Sequence, residues 1–90
     1  MTSENVEFPE TRDSLLVREG AAAFQALCDR ALLLEHMSPT AAAVEADAVL
    51  VDLDTFADRF GEVLSDQAWH SLARARFCTE RTRDLYRAMA

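Results

Sequence analysis

The chain has 90 residues, half of them apolar and 28% charged, and its 16 acids against 9 bases leave a net charge of −7. That length fits one domain near the small end of what folds alone. The acidic surplus repels nucleic acid and anionic lipid over about 8 Å at physiological salt, which argues against direct nucleic-acid binding and membrane attachment.

Residues 1–10 read as an acidic N-terminal arm, with Val6 and Phe8 as its anchors and Pro9 as its end. The remainder, 11–90, reads as a single helical domain with helices over about 12–37, 39–64 and 66–88. In the first helix Leu16, Ala23, Leu27, Ala31 and Leu34 recur at helical spacing and share one face. Val17, Phe24, Cys28 and Leu32 form a second apolar row beside it. Gly20 costs this helix about 1 kcal/mol relative to alanine, a cost that close approach of another helix would explain.

Ser38-Pro39 is the clearest punctuation, because serine is a favoured N-cap and proline fits the first helical position. The second helix then carries the stripe Ala42, Ala46, Val49, Leu53, Phe56, Phe60 and Leu64, and Gly61 loosens its end. Ser65 or Asp66 caps the third helix, whose stripe is Ala68, Leu72, Ala75, Thr79, Thr82, Tyr86 and Met89. Phe24, Leu27, Leu53, Phe56, Phe60 and Leu72 are the expected core. With two glycines and two prolines in all, the reading is a small all-α antiparallel three-helix bundle.

Charge is divided between the second and third helices. Residues 39–66 hold seven acids against Arg59, whereas 67–90 hold Arg74, Arg76, Arg81, Arg83 and Arg87 against Glu80 and Asp84. Two antiparallel helices that pack through apolar stripes bring such flanks together as ion pairs. Arg76, Arg83 and Arg87 flank one side of the stripe, and Arg74 and Arg81 the other. The apolar arcs are wider than one contact requires, with Val44 and Val51 turned away from the main stripe and Trp69 at a stripe margin. A third helix satisfies such an arc, and so does a homodimer built from the first or second helix. Val17, Phe24, Leu32, Val44, Val51, Trp69, Arg76, Arg83 and Arg87 are therefore the candidate protein-contact residues.

Patterns that carry chemistry are few. Val49-Leu50-Val51-Asp52-Leu53-Asp54-Thr55 resembles the opening motif of haloacid dehalogenase-like phosphatases, where an apolar strand leads into a nucleophilic aspartate and a general acid. The usual glycine is replaced by Thr55, and the chain that follows is too short for the Rossmann-like domain the resemblance implies. Asp13-Ser14-Leu15 resembles the tripeptide that carries phosphopantetheine in acyl carrier proteins, but the helix and long loop that precede the serine there have no room here. Both stretches also read as helix, Asp13 and Ser14 as a first turn. Cys28 and His36, like His70 and Cys78, stand eight residues apart, about 12 Å along a helix and too far to share one zinc. The sequence implies no metal and no cofactor, and it places both thiols, unpaired, on buried helix faces.

The expected role is a non-enzymatic accessory, regulatory or adaptor protein that presents helix faces to another protein. Two alternatives come from other classes. In length and helix number the chain is similar to all-helical chorismate mutases, which implies a dianion site built here from Arg18, Arg30 and Arg59 in the absence of any lysine. An acidic nucleic-acid mimic would instead set carboxylates in rows at phosphate-like spacing. No run approaches the roughly 18 apolar residues of a membrane span, and no signal peptide is visible at the acidic start, so the expected location is cytoplasmic.

Overall fold

The computed structural model describes residues 12–90, so the acidic arm expected over 1–10 lies outside the described residues. Three helices account for nearly all of it: α1 (Arg12–Leu32), α2 (Pro39–Phe60) and α3 (Asp66–Met89). No strand occurs among the described residues. Val49–Leu53 is helix, which overturns the strand that the phosphatase resemblance requires.

Local chemistry starts two of the helices as expected. Ser38 is extended at ψ 155°, as a residue before proline tends to be, and its Oγ accepts from the Ala41 amide at 3.3 Å. Ser65, rather than Asp66, caps α3 by accepting from the Ala68 amide at 3.1 Å. The ends differ from the expectation. The α form of the first helix stops at Leu32 instead of continuing to Met37, and Leu33–His36 tighten into a 3-10 turn. Likewise α2 stops at Phe60 rather than Leu64, followed by a 3-10 turn over Gly61–Val63. Such turns satisfy terminal carbonyls while the chain changes direction.

Both connections are short, and cross-helix ion pairs fix the directions. Arg59 reaches Glu19 while Arg30 reaches Glu45, so α1 and α2 are antiparallel. Arg76 reaches Asp54 while Arg87 reaches Asp47, so α3 reverses again. α1 and α3 both lie along α2 and share few contacts with each other. The bundle hinges on α2, which buries Ala42, Ala46, Val49, Leu53, Phe56 and Phe60 as its stripe predicts, and Ala43 and Leu50 besides. By helical spacing the last two stand on the side of the stripe toward Asp47 and Asp54, the carboxylates that α3 pairs.

The core has two parts. Leu27, Val49, Leu50, Leu53, Phe56, Phe60 and Leu72 form the larger cluster, and Leu34 with Ala42 and Ala46 forms a smaller one that Tyr86 borders. Five of the six expected core residues are buried; Phe24 is only half-buried. Thr79 is buried with its hydroxyl donating to the Ala75 carbonyl at 2.7 Å, so its polar atom is satisfied inside the helix. The neighbouring Cys78 is then turned outward and is exposed, contrary to the expectation of two buried thiols; Cys28 is half-buried.

Candidate protein-binding groove

Gly20 decides how α1 meets the far end of α2. A Cβ at that position would stand 3.2 Å from the Phe60 ring, so glycine lets the α1 backbone rest close to it. The rings of Phe24, Phe56 and Phe60 follow in series, with centroids 5.6 and 5.0 Å apart and tilted planes. Beside them a groove of about 480 Å³ opens between the helices. Phe56 and Phe60 form its floor, while Leu16, Val17 and Phe24 form the α1 wall. Val63, Leu64 and Ala68 supply the other side, and none of the lining residues is an acid or a base.

That lining carries little polar chemistry. Of its two serines, Ser65 spends its Oγ on the Ala68 amide as a helix cap. No general base stands beside either hydroxyl among the lining residues, so the groove lacks the pairing that activates a nucleophile. It offers apolar surface and shape, the conditions under which large apolar side chains of a partner bury well.

The other expected contact residues scatter around the bundle. Val17 and Phe24 meet at the groove, whereas Leu32 is exposed near the other end of α1. Val44 and Val51 are 68% and 63% exposed on the outer side of α2. Trp69 is half-exposed and leans on the backbone of Gly61, where an added Cβ would meet its ring at 3.2 Å. Gly61 is thus a point of close approach as well as the end of a helix.

Arg76, Arg83 and Arg87 point to α2. Arg76 holds Asp54 with two parallel bonds, Nε to Oδ1 at 3.1 Å and Nη2 to Oδ2 at 3.2 Å. Arg83 and Arg87 share Asp47, at 3.4 and 2.7 Å. Asp84, with Asp47 behind it, raises the Arg83 guanidinium further above its ordinary pKa. On the other flank of α2, Arg30 of α1 bridges Asp52 at 2.5 Å and Glu45 at 3.0 Å, and these two carboxylates, Asp52 first, likewise raise its pKa. The two aspartates of the phosphatase-like motif therefore part company: Asp52 serves α1 and Asp54 serves α3.

Sequence reasoning missed the groove because it assigned Phe56 and Phe60 wholly to the core. The available signal was the wide apolar arc of the first helix, which includes Val17 and Phe24. No three histidine, cysteine or carboxylate side chains are grouped to hold a metal ion among the described residues, and none of their helices is long and apolar enough to cross a membrane. No family model, curated protein or solved structure matches this chain.

Proposed function

We propose that the protein is a non-enzymatic accessory protein that binds another protein through helix faces, taking apolar side chains of that partner into the groove between α1 and α3. The observation that carries this reading is a groove walled by apolar side chains from three helices with no ionisable group in its lining. Surface of that kind, left open on a small acidic protein, suits burial against a partner better than it suits chemistry.

The charges weigh against the two alternatives. Glu45, Asp47, Asp52 and Asp54 are each held by an arginine, so they do not stand free in phosphate-like rows. Arg30 is held by Asp52 and Glu45 and Arg59 by Glu19, so both guanidinium groups, although they border one shallow cleft, are already met by carboxylates.

Val17 is half-exposed on the groove wall, so glutamate there leaves the fold standing while placing a charge in the seat. The full chain, isolated from its native source with whatever it binds, should lose that partner at least about tenfold in the Val17→Glu variant. A Val44→Glu control should keep it. Retention by Val17→Glu with loss by Val44→Glu would move the interface to the outer side of α2 and sink this reading.

A further inference from the structure

The five arginines of α3 divide into two sets. Arg76, Arg83 and Arg87 are engaged with Asp54 and Asp47 of α2. The same set also absorbs two of the three carboxylates that α3 itself offers: Arg76 binds Glu80 at 2.7 Å and Arg83 binds Asp84 at 3.1 Å, while Asp66 stands in the first turn, away from Arg74 and Arg81 in sequence. Arg74 and Arg81 are left with no carboxylate among the described residues, although the chain as a whole is strongly acidic.

These two arginines are not isolated on the surface. Arg74, Phe77, Arg81 and Leu85 follow one another at three- and four-residue intervals, which aligns them in one strip along α3. The strip lies away from the buried Leu72 and Thr79. Phe77 is 58% and Leu85 60% exposed, and the Arg81 guanidinium lies 5.8 Å from the centre of the Phe77 ring. That stacking holds one cation over its aromatic neighbour and leaves its N–H groups to meet an acceptor. Two large apolar side chains alternating with two arginines that meet no carboxylate among the described residues form a surface with a defined complement.

We infer that this strip is a second docking surface, and that it takes an amphipathic helix of another protein with carboxylates beside an apolar seam. The charge fixes the choice of occupant. A basic or neutral helix would cover Phe77 and Leu85 but leave both guanidinium groups without an acceptor, whereas carboxylates two turns apart match Arg74 and Arg81, which are about 10 Å apart along the axis. The strip shares no residue with the groove lining and does not depend on the groove's role.

Two synthetic helical peptides with the same leucine seam test this, one with glutamate and one with lysine at the two flanking positions. The full chain, labelled with 15N, is titrated with each. The expected result is that the glutamate peptide shifts the amides of Phe77, Arg81 and Leu85, and that the lysine peptide binds at least about tenfold more weakly. An Arg74→Glu/Arg81→Glu variant should reverse that preference while melting like the parent, since neither arginine is in an ion pair among the described residues. Equal affinity for the two peptides overturns the inference, and so does the absence of binding by either. Shifts confined to Val17 and Phe24 would place the peptide in the groove instead and also overturn it. Shifts of the strip that grow with protein concentration alone would make a second copy the occupant, and preferential binding of a single-stranded oligonucleotide would make the strip a nucleic-acid contact; both overturn it.

Discussion

Near the Ser38 turn the inner face of α2 presents Ala42 and Ala46, both at 0% exposure, with Leu34 packed on them and Tyr86 at their edge. Near Gly61 the same face presents Phe56 and Phe60, which pack under α1 and also floor an open groove. The difference lies in side-chain size at one repeating position. Alanines let neighbouring helices close on α2, whereas rings hold them apart and leave the third side incompletely covered. One stripe thus builds a sealed end and an open end.

The largest effect expected from breaking this arrangement is at the rings. Phe56→Ala should cost roughly 3–5 kcal/mol in urea unfolding, a large share of a small domain's stability. Phe24→Ala should cost less, because Phe24 is only half-buried on the groove wall. Equal losses would mean that the groove is a closed part of the core.

A second pair of substitutions adds volume at each end. Ala46→Leu has no space to enter and should destabilise by about 1–3 kcal/mol. Gly20→Ala adds a methyl 3.2 Å from Phe60, whose ring borders the groove and can tilt into it. The helix-propensity gain then dominates, and the variant should be more stable by up to about 1 kcal/mol. A Gly20→Ala loss as large as that of Ala46→Leu would show both ends to be equally rigid.

Smaller still is the contribution of the charged flanks. A double-mutant cycle on Asp54 and Arg76 should give a coupling below about 1 kcal/mol, falling as salt is raised, because both side chains are substantially exposed. A coupling well above that, insensitive to salt, would make this pair a main support of the α2–α3 contact rather than a guide to its register.

The thiols give the finest test. Cys78 is exposed and should be alkylated by iodoacetamide faster than half-buried Cys28. Burial first, and the neighbouring Asp29 second, raise the Cys28 thiol above its ordinary 9.0, which leaves it less thiolate at pH 8. The sign of its linkage follows: this raised pKa contributes stability that is full below about pH 9 and is lost as pH climbs through the raised value. Faster labelling of Cys28 than of Cys78 would contradict the packing of α1 described above.

Much of the fold was legible in the sequence because it depends on near neighbours. Ser38, Pro39 and Ser65 announce helix starts through contacts within one turn. The period of the α2 stripe identifies its buried face, and the opposed charges of residues 39–66 and 67–90 foreshadow Arg76 on Asp54 and Arg87 on Asp47. The candidate site was legible only in fragments. Val17 and Phe24 stood out as a second apolar row, but nothing in their spacing joins them to Val63 and Ala68, which follow some forty residues later.

The sequence by itself determined where the helices begin, which face of α2 is buried and which segments attract each other, since period, capping and charge act over a turn or two. Only the tertiary structure decided that Arg30 spans Glu45 and Asp52, that Phe24 is a wall instead of core, and that Leu50 is covered while Phe77 is not. Those outcomes depend on the angular position of each neighbouring helix around α2. That position is set by the combined sizes of the side chains between the helices, which no single segment contains.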